Sequence, residues 1–245
     1  MNDLTLDKIY KRKSKGRKVR LIQEWLCLHG IYVNIDGDFG PATDYAVRRF
    51  QTIKKLRANG IVGYSVFKQF VAPMAQSLMP LSSMRTSLNR LIVKCAKQHL
   101  KQHPREAGGQ NKGPWVRLYM DGNEGRNWPW CASFVCFIIN QACRNLNIPS
   151  PIKRSFSCDV LALNAKNNGS FLAGNKITDY KQIKPGSLFL HRRTANDWVH
   201  TGIVIEAEPE IFHSIEGNTN DEGSREGYEA CGRIRGYKKM DFILI

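Results

Sequence analysis

Residues 128–140 read WPWCASFVCFIIN. Trp128 and Pro129 make an aromatic turn, and beyond Cys131 the apolar positions Phe134, Val135, Ile138, Ile139, Ala142 and Leu146 recur at helical spacing. The spacing predicts a helix from Cys131 to about Asn147, ahead of Pro149. A cysteine in the first turn of a helix lies in the field of unpaired backbone NH groups, which favours thiolate over thiol. Cys136 and Cys143 fall inside the same helix, where a small buried sulfur is the ordinary outcome.

Downstream the pattern changes. Gly186–Leu190, Trp198–Ile205, Glu210–Ile215 and Asp241–Ile245 are short β-like runs separated by glycine, asparagine and charge. Upstream, Leu88, Leu91, Ile92, Cys95, Ala96, His99 and Leu100 form a helical stripe. Helices followed by antiparallel strands make an α+β domain over 88–245. Residues 73–87, with two prolines, several serines and no periodicity, are expected to be a linker.

Residues 1–72 are expected to fold separately as a small three-helix domain with a basic N-terminal segment. VRLIQEWLCLHG (19–30) is a short amphipathic helix with Gly30 placed for a C-terminal cap, and Asp44–Gln51 forms a second. Thr43 or a neighbour is expected to cap that second helix. Gly60–Ser65 leads into a third over Val66–Val71. In the intervening loop, Asp36 is expected to bind backbone amides of its turn. Asp36 and Asp38 lack the further acidic ligands of a calcium loop, and no close Cys/His pairs suggest zinc, so neither metal nor cofactor is expected.

The chain has 245 residues, a formal charge of +16 and seven cysteines, an odd number without the look of a disulfide framework. No apolar run approaches the ~20 residues of a membrane span, and the basic N-terminus is unlike a signal peptide. The charge suits a polyanionic partner, whether nucleic acid, anionic membrane or anionic cell wall.

A helix-start cysteine needs a base. His200 begins the run HTGIVI, where alternation puts His200, Gly202 and Val204 on one face and Thr201, Ile203 and Ile205 on the other. Gly202 is expected to leave room for substrate beside His200. On the next strand Glu216 and Asn218 share one parity and either can orient the imidazole; His213 has the other. Nucleophile, base and orienter are those of papain-like chemistry.

Two resemblances follow from these residues. Gly16–Phe67 looks like a three-helix peptidoglycan-binding domain, through VRLIQ (19–23), DGDFG (36–40), Thr43, Ala46-Val47, Phe50-Gln51 and NGIVG (59–63). Residues 88–245 resemble a CHAP domain, the cysteine- and histidine-dependent amidohydrolase/peptidase family. The matching pieces are Glu106–Pro114 with Val116 and Tyr119, WPWCASFV (128–135), KPGSLF (184–189), HTGIV (200–204) and IEGNT (215–219).

The resemblance implies Cys131 as nucleophile, His200 as base and Glu216 or Asn218 as orienter. Trp130 stands where many relatives have glutamine, and Trp128 and Trp130 either stack on muropeptide or pack internally. The implied activity is cleavage of a peptidoglycan amide, N-acetylmuramoyl-L-alanine or within the stem or cross-bridge, by an endolysin-like monomer. A secreted effector with an immunity protein, or an inactive wall-binding protein, is the alternative. Bacterial peptidoglycan is the expected partner, and specific nucleic-acid binding is not expected. Made without a signal peptide, the protein would reach the periplasm and wall by holin release or injection.

Overall fold

The computed structural model describes residues 3–82, 84–220 and 227–245. The helices are α1 (Arg17–Leu28), α2 (Pro41–Ile53), α3 (Tyr64–Ser77), α4 (Leu88–Leu100), α5 (Pro114–Tyr119), α6 (Cys131–Leu146) and α7 (Cys158–Asn167). The strands are β1 (Phe171–Leu172), β2 (Leu188–Thr194), β3 (Asp197–Ala207), β4 (Ile211–Thr219), β5 (Glu229–Gly236) and β6 (Met240–Ile243). The fold is α+β. Among the described residues no helix is long and apolar enough to cross a membrane.

The chain divides into two compact units, Met1–Gln76 with Arg105–Gly125, and Ser77–Pro104 with Arg126–Ile245. Two sequence expectations change here. Helix α3 continues through Pro73 to Ser77, into the stretch 73–87 expected as a linker. An internal proline costs about 3 kcal/mol, and Phe70, Val71 and Met74, all buried, supply the offsetting packing. Residues Arg105–Gly125, read above as part of the second domain, belong with the first unit. Trp115 meets Trp25 edge-on at 6.4 Å, which buries both rings.

In the first unit α1, α2 and α3 surround Ile22, Leu26, Phe39, Val47, Phe50, Phe67 and Phe70, all nearly inaccessible. Two buried glutamines tie the loops by the same device. Gln23 Nε2 donates to Asp36 Oδ1 at 2.7 Å and to the Asp38 carbonyl at 3.0 Å, while its Oε1 accepts from the Gly37 NH at 2.8 Å. Gln51 Nε2 donates to Asn59 Oδ1 at 3.1 Å and to the Ile61 carbonyl at 2.9 Å, and its Oε1 accepts from the Gly60 NH at 2.9 Å. Both glycines adopt positive φ, 78° and 73°, a conformation that favours glycine. Asp36 also accepts from the Asp38 NH at 2.9 Å, inside the turn. Thr43 is not the cap of α2: Gly40 holds that position with Pro41 behind it, and the buried Thr43 hydroxyl donates to the Asp38 carbonyl at 3.2 Å.

The same unit buries a charge cluster. The Arg117 guanidinium donates to Asp3 at 2.5 Å, to Glu24 at 2.6 Å and to Glu124 at 2.6 Å. Burial pushes the Glu24 carboxyl up, against the pull of Arg117.

The second unit is a six-stranded antiparallel sheet in the order β1-β6-β2-β3-β4-β5. Helix α6 packs on the interior strands β3 and β4. Ile203 and Val204, consecutive in β3, are both fully buried, so both faces of the sheet are covered at its centre. Edge strand β5 has an inverted pattern, with Ile234 63% exposed and its neighbour Arg235 half-buried. That inversion hides the strand from a hydrophobicity reading.

Candidate active site

Cys131 is the first residue of α6, behind Trp130 at the cap. His200 and Glu216 arrive from neighbouring strands. Counting back from the pair Ile203–Ile215 puts Gly202 across from Glu216, and His200 one diagonal step away. His200 Nε2 lies 2.8 Å from Glu216 Oε2. An ionised carboxylate only accepts, so Nε2 carries the proton. The other nitrogen, Nδ1, is buried with no hydrogen-bonding oxygen or nitrogen, and it is the thiol of Cys131 that acts on the ring.

The electrostatics describe a thiolate and an imidazolium. The neighbouring Cys158 thiol, 3.9 Å away sulfur to sulfur, holds the Cys131 thiol well below the usual range. Burial opposes this, and His200 and the Ala132 NH reinforce it. Burial pushes the His200 imidazole down, but hydrogen bonds and charge from Cys131 and Glu216 outweigh it and hold the ring at about 9. Cys136, one turn and a half along the same helix, shows the contrast: burial pushes its thiol up to about 11.

Glu216 is completely buried and fully partnered. Ser214 Oγ donates to Oε1 at 2.6 Å, and Arg235 spans the carboxylate with Nε at 2.5 Å from Oε1 and Nη2 at 2.6 Å from Oε2. Burial raises its pKa, but Arg235 and His200 together bring it to about 2. Arg235 also lies 5.3 Å over the Phe189 ring. Sequence reasoning missed Arg235, Ser214 and Cys158. Ser214 was within reach, since it shares strand parity with Glu216.

Three sequence expectations are revised. Gly202 does not open space beside His200: a Cβ there would stand 2.6 Å from Glu216 Cγ and 2.7 Å from Phe189 Cε1, so the glycine is filled against, not left open. Trp130 is fully buried against Phe134, and a Cβ on Gly217 would meet its ring at 2.7 Å, so it packs and offers no face to a ligand. Trp128 is partly exposed and meets Phe156 edge-on at 6.0 Å. Asn218 is buried with φ 58°, and it is Glu216 that binds Nε2.

The first unit carries an open groove of about 690 Å³. Its lining includes Tyr32, Tyr45, Asp36, Asp38 and Arg49. Tyr32 is 81% and Tyr45 69% exposed, so two accessible rings line the cleft.

Residues 15–70 match the family of the putative peptidoglycan binding domain. That peptidoglycan-binding domain is the part of the chain holding α1, α2, the groove and the first half of α3. Over 80 residues the chain is 36% identical to the zinc D-Ala-D-Ala carboxypeptidase of Streptomyces albus G, covering 31% of each protein. The chain thus spans under a third of the length of that curated relative. Among solved structures, the SleB N-terminal domain is 29% identical with a TM-score of 0.27, covering 27% of this chain and 93% of that one. A Burkholderia AP3 phage endolysin is 24% identical with a TM-score of 0.26, covering 38% of this chain and 33% of that one. Among the described residues no group of three or more His, Cys, Asp or Glu is arranged to hold a metal ion.

Proposed function

We propose that this protein hydrolyses an amide bond of bacterial peptidoglycan with Cys131 as nucleophile, in a CHAP-like second unit targeted by its peptidoglycan-binding domain. The observation that carries the reading is the continuous chain Cys131–His200–Glu216, in which a helix-start thiol with a depressed pKa meets an imidazole already bound to a buried carboxylate. Wall targeting is supported by the family match over residues 15–70.

The Cys131 thiolate attacks the amide carbonyl, and the oxyanion faces the NH groups at the start of α6. His200 gives its proton to the leaving amine as the thioester forms. Neutral His200 then takes a proton from water, hydroxide attacks the thioester, and the thiolate leaves. Glu216 keeps the ring in one orientation and favours its charged form, and Arg235 keeps Glu216 ionised. In the first unit, Tyr32 and Tyr45 supply flat apolar faces for sugar rings, and Arg49 supplies a partner for stem carboxylates. Delivery by holin release or injection, as an endolysin or effector, belongs to the same proposal.

Purified sacculi incubated with the wild type and with Cys131→Ala test the reading. Turbidity should fall only with the wild type, and mass spectrometry of the released muropeptides identifies the broken bond. Equal clearing by both proteins would overturn it.

A further inference from the structure

We propose that Cys158 is a resolving cysteine, and that a hydroperoxide converts Cys131 and Cys158 into a reversible disulfide that shuts the site. The proposal rests on Cys131 being the reactive thiol, but not on the identity of the substrate.

Geometry supports it from several directions. The two sulfurs are 3.9 Å apart, already in contact, and a bond of ~2 Å needs them to close by about as much again. Cys131 opens α6 and Cys158 opens α7, so two helix starts converge on the sulfur pair. The segments leading into them are tied together, because Trp128 and Phe156 meet edge-on at 6.0 Å, three residues before one cysteine and two before the other. Ser157 caps α7 by accepting from the Val160 NH, which fixes the backbone beside Cys158. The competing sulfur on α6 is turned elsewhere: Cys136 donates to the Ser155 carbonyl at 3.6 Å. Both members of the pair are nearly buried, with 5% and 7% exposure, so a small oxidant is favoured over a bulky disulfide.

The charges are also divided as the chemistry requires. Cys131 is held as thiolate, the form that attacks, while Cys158, beside it, is pushed well above the usual thiol range and keeps its proton. In the first step the Cys131 sulfur attacks one peroxide oxygen. The S–O bond forms, the O–O bond breaks, and the departing hydroxide or alkoxide takes the His200 proton. Cys131 is oxidised by two electrons to the sulfenic acid and the peroxide is reduced. In the second, Cys158 loses its proton as its sulfur attacks the Cys131 sulfur. The S–S bond forms, the S–O bond breaks, and hydroxide leaves with that proton as water. With hydrogen peroxide the sum is two thiols and one peroxide giving one disulfide and two waters.

The test uses the full reduced chain and hydrogen peroxide at low molar excess. Expected is a mass lower by two hydrogens, a proteolytic peptide pair joined through Cys131 and Cys158, and full reversal by dithiothreitol. Cys158→Ala, and Cys158→Ser should the first fold poorly, should instead gain oxygen at Cys131 with no disulfide: a sulfenic acid that dithiothreitol still reduces, passing with further peroxide to sulfinic and sulfonic acids that it does not. A wild type that gains oxygen at Cys131 while Cys158 stays open to alkylation would overturn the proposal, as would a bond joining any other pair. Because the reading is a mass, it is independent of turnover. Absence of the disulfide leaves sacculus clearing under reductant as it was, whereas an inactive but disulfide-forming protein would sink only the hydrolase reading.

Discussion

The two units each bury a charge cluster, and the clusters are inverses. In the first unit one guanidinium, Arg117, is shared by three carboxylates, Asp3, Glu24 and Glu124. In the second, one carboxylate, Glu216, is shared by Arg235, Ser214 and His200. Both perturb pKa values strongly, so perturbation alone does not mark chemistry. The difference is where each cluster ends. Arg117 gives its donors to carboxylates whose other partners, Arg20 beside Glu24 and the Gly113 NH on Glu124, are not nucleophiles. Glu216 has a partner with a second nitrogen, and that partner acts on a thiol at a helix start. A buried ion pair becomes a candidate machine when one member can pass the effect to a nucleophile.

Removing the end of the chain should have the largest effect. Cys131→Ala is expected to abolish sacculus clearing and leave thermal unfolding close to wild type. Cys136→Ala, on the same helix, is expected to lower stability by about 1–2 kcal/mol and keep most of the activity; a reversed pattern would move the nucleophile.

Next come the middle links. His200→Ala should lower kcat/KM by roughly 10²- to 10⁴-fold. The wild-type profile should hold a plateau and decline as pH rises through about 9, where His200 loses its proton. Glu216→Gln removes one of the interactions that raise the ring's pKa, so the alkaline decline should move to lower pH. Stability follows the opposite sign: Glu216 is depressed to about 2, so its contribution is complete above the ordinary carboxyl range and is lost as pH falls toward 2. An unmoved alkaline limb in Glu216→Gln would reduce the carboxylate to a packing role.

Much of this chain was legible before any coordinates. The helix start at Cys131 followed from apolar spacing, and strand parity put Glu216 and Asn218 on one face while leaving open which of them meets His200. Arg235 was not legible, because β5 turns its isoleucine outward and its arginines inward, so no apolar alternation announces a strand. Cys158 was hidden for another reason. Its contact with Cys131 depends on how the chain returns across a separation of 27 positions, which no local period encodes. Gly202 shows a third limit: a missing side chain leaves either room or a tight fit, and only the neighbours, here Glu216 and Phe189, decide which. The first unit's loops were readable from their glycine turns, whereas the ties made by Gln23 and Gln51 reach across 8 to 15 positions and were not read. Its claim on Arg105–Gly125 was not, since Arg117 and Trp115 reach their partners across a long sequence separation.

The Arg117 cluster should matter for stability and nothing else. Arg117→Met leaves three carboxylates facing one another, and unpaired buried charge of this kind costs about 3–5 kcal/mol. In that variant the folded-state pKa values of Glu24, already raised by burial, and of Glu124, no longer lowered by Arg117, should rise. Stability is then present at low pH and lost as pH rises through the raised values, so acidification should recover part of the deficit. Denaturant titrations at two pH values measure this, and a variant as stable as wild type at neutral pH would show that the cluster is already balanced by nearby Arg20, 3.5 Å from Glu24.

The smallest effect belongs to the groove. Tyr32 and Tyr45 are exposed, so replacing them removes little packing from the folded protein. An aromatic face contributes roughly 1 kcal/mol to such a contact, or about fivefold in affinity. Tyr32→Ala and Tyr45→Ala should each weaken sedimentation with sacculi by that factor and leave cleavage of soluble muropeptides unchanged. The pair of readouts separates the two units: a loss confined to the insoluble wall assigns the tyrosines to capture, whereas equal loss on soluble fragments would tie the groove to the reaction itself. Wild-type sedimentation by both variants would place wall capture on another face of the module, with its basic N-terminal segment the first place to look.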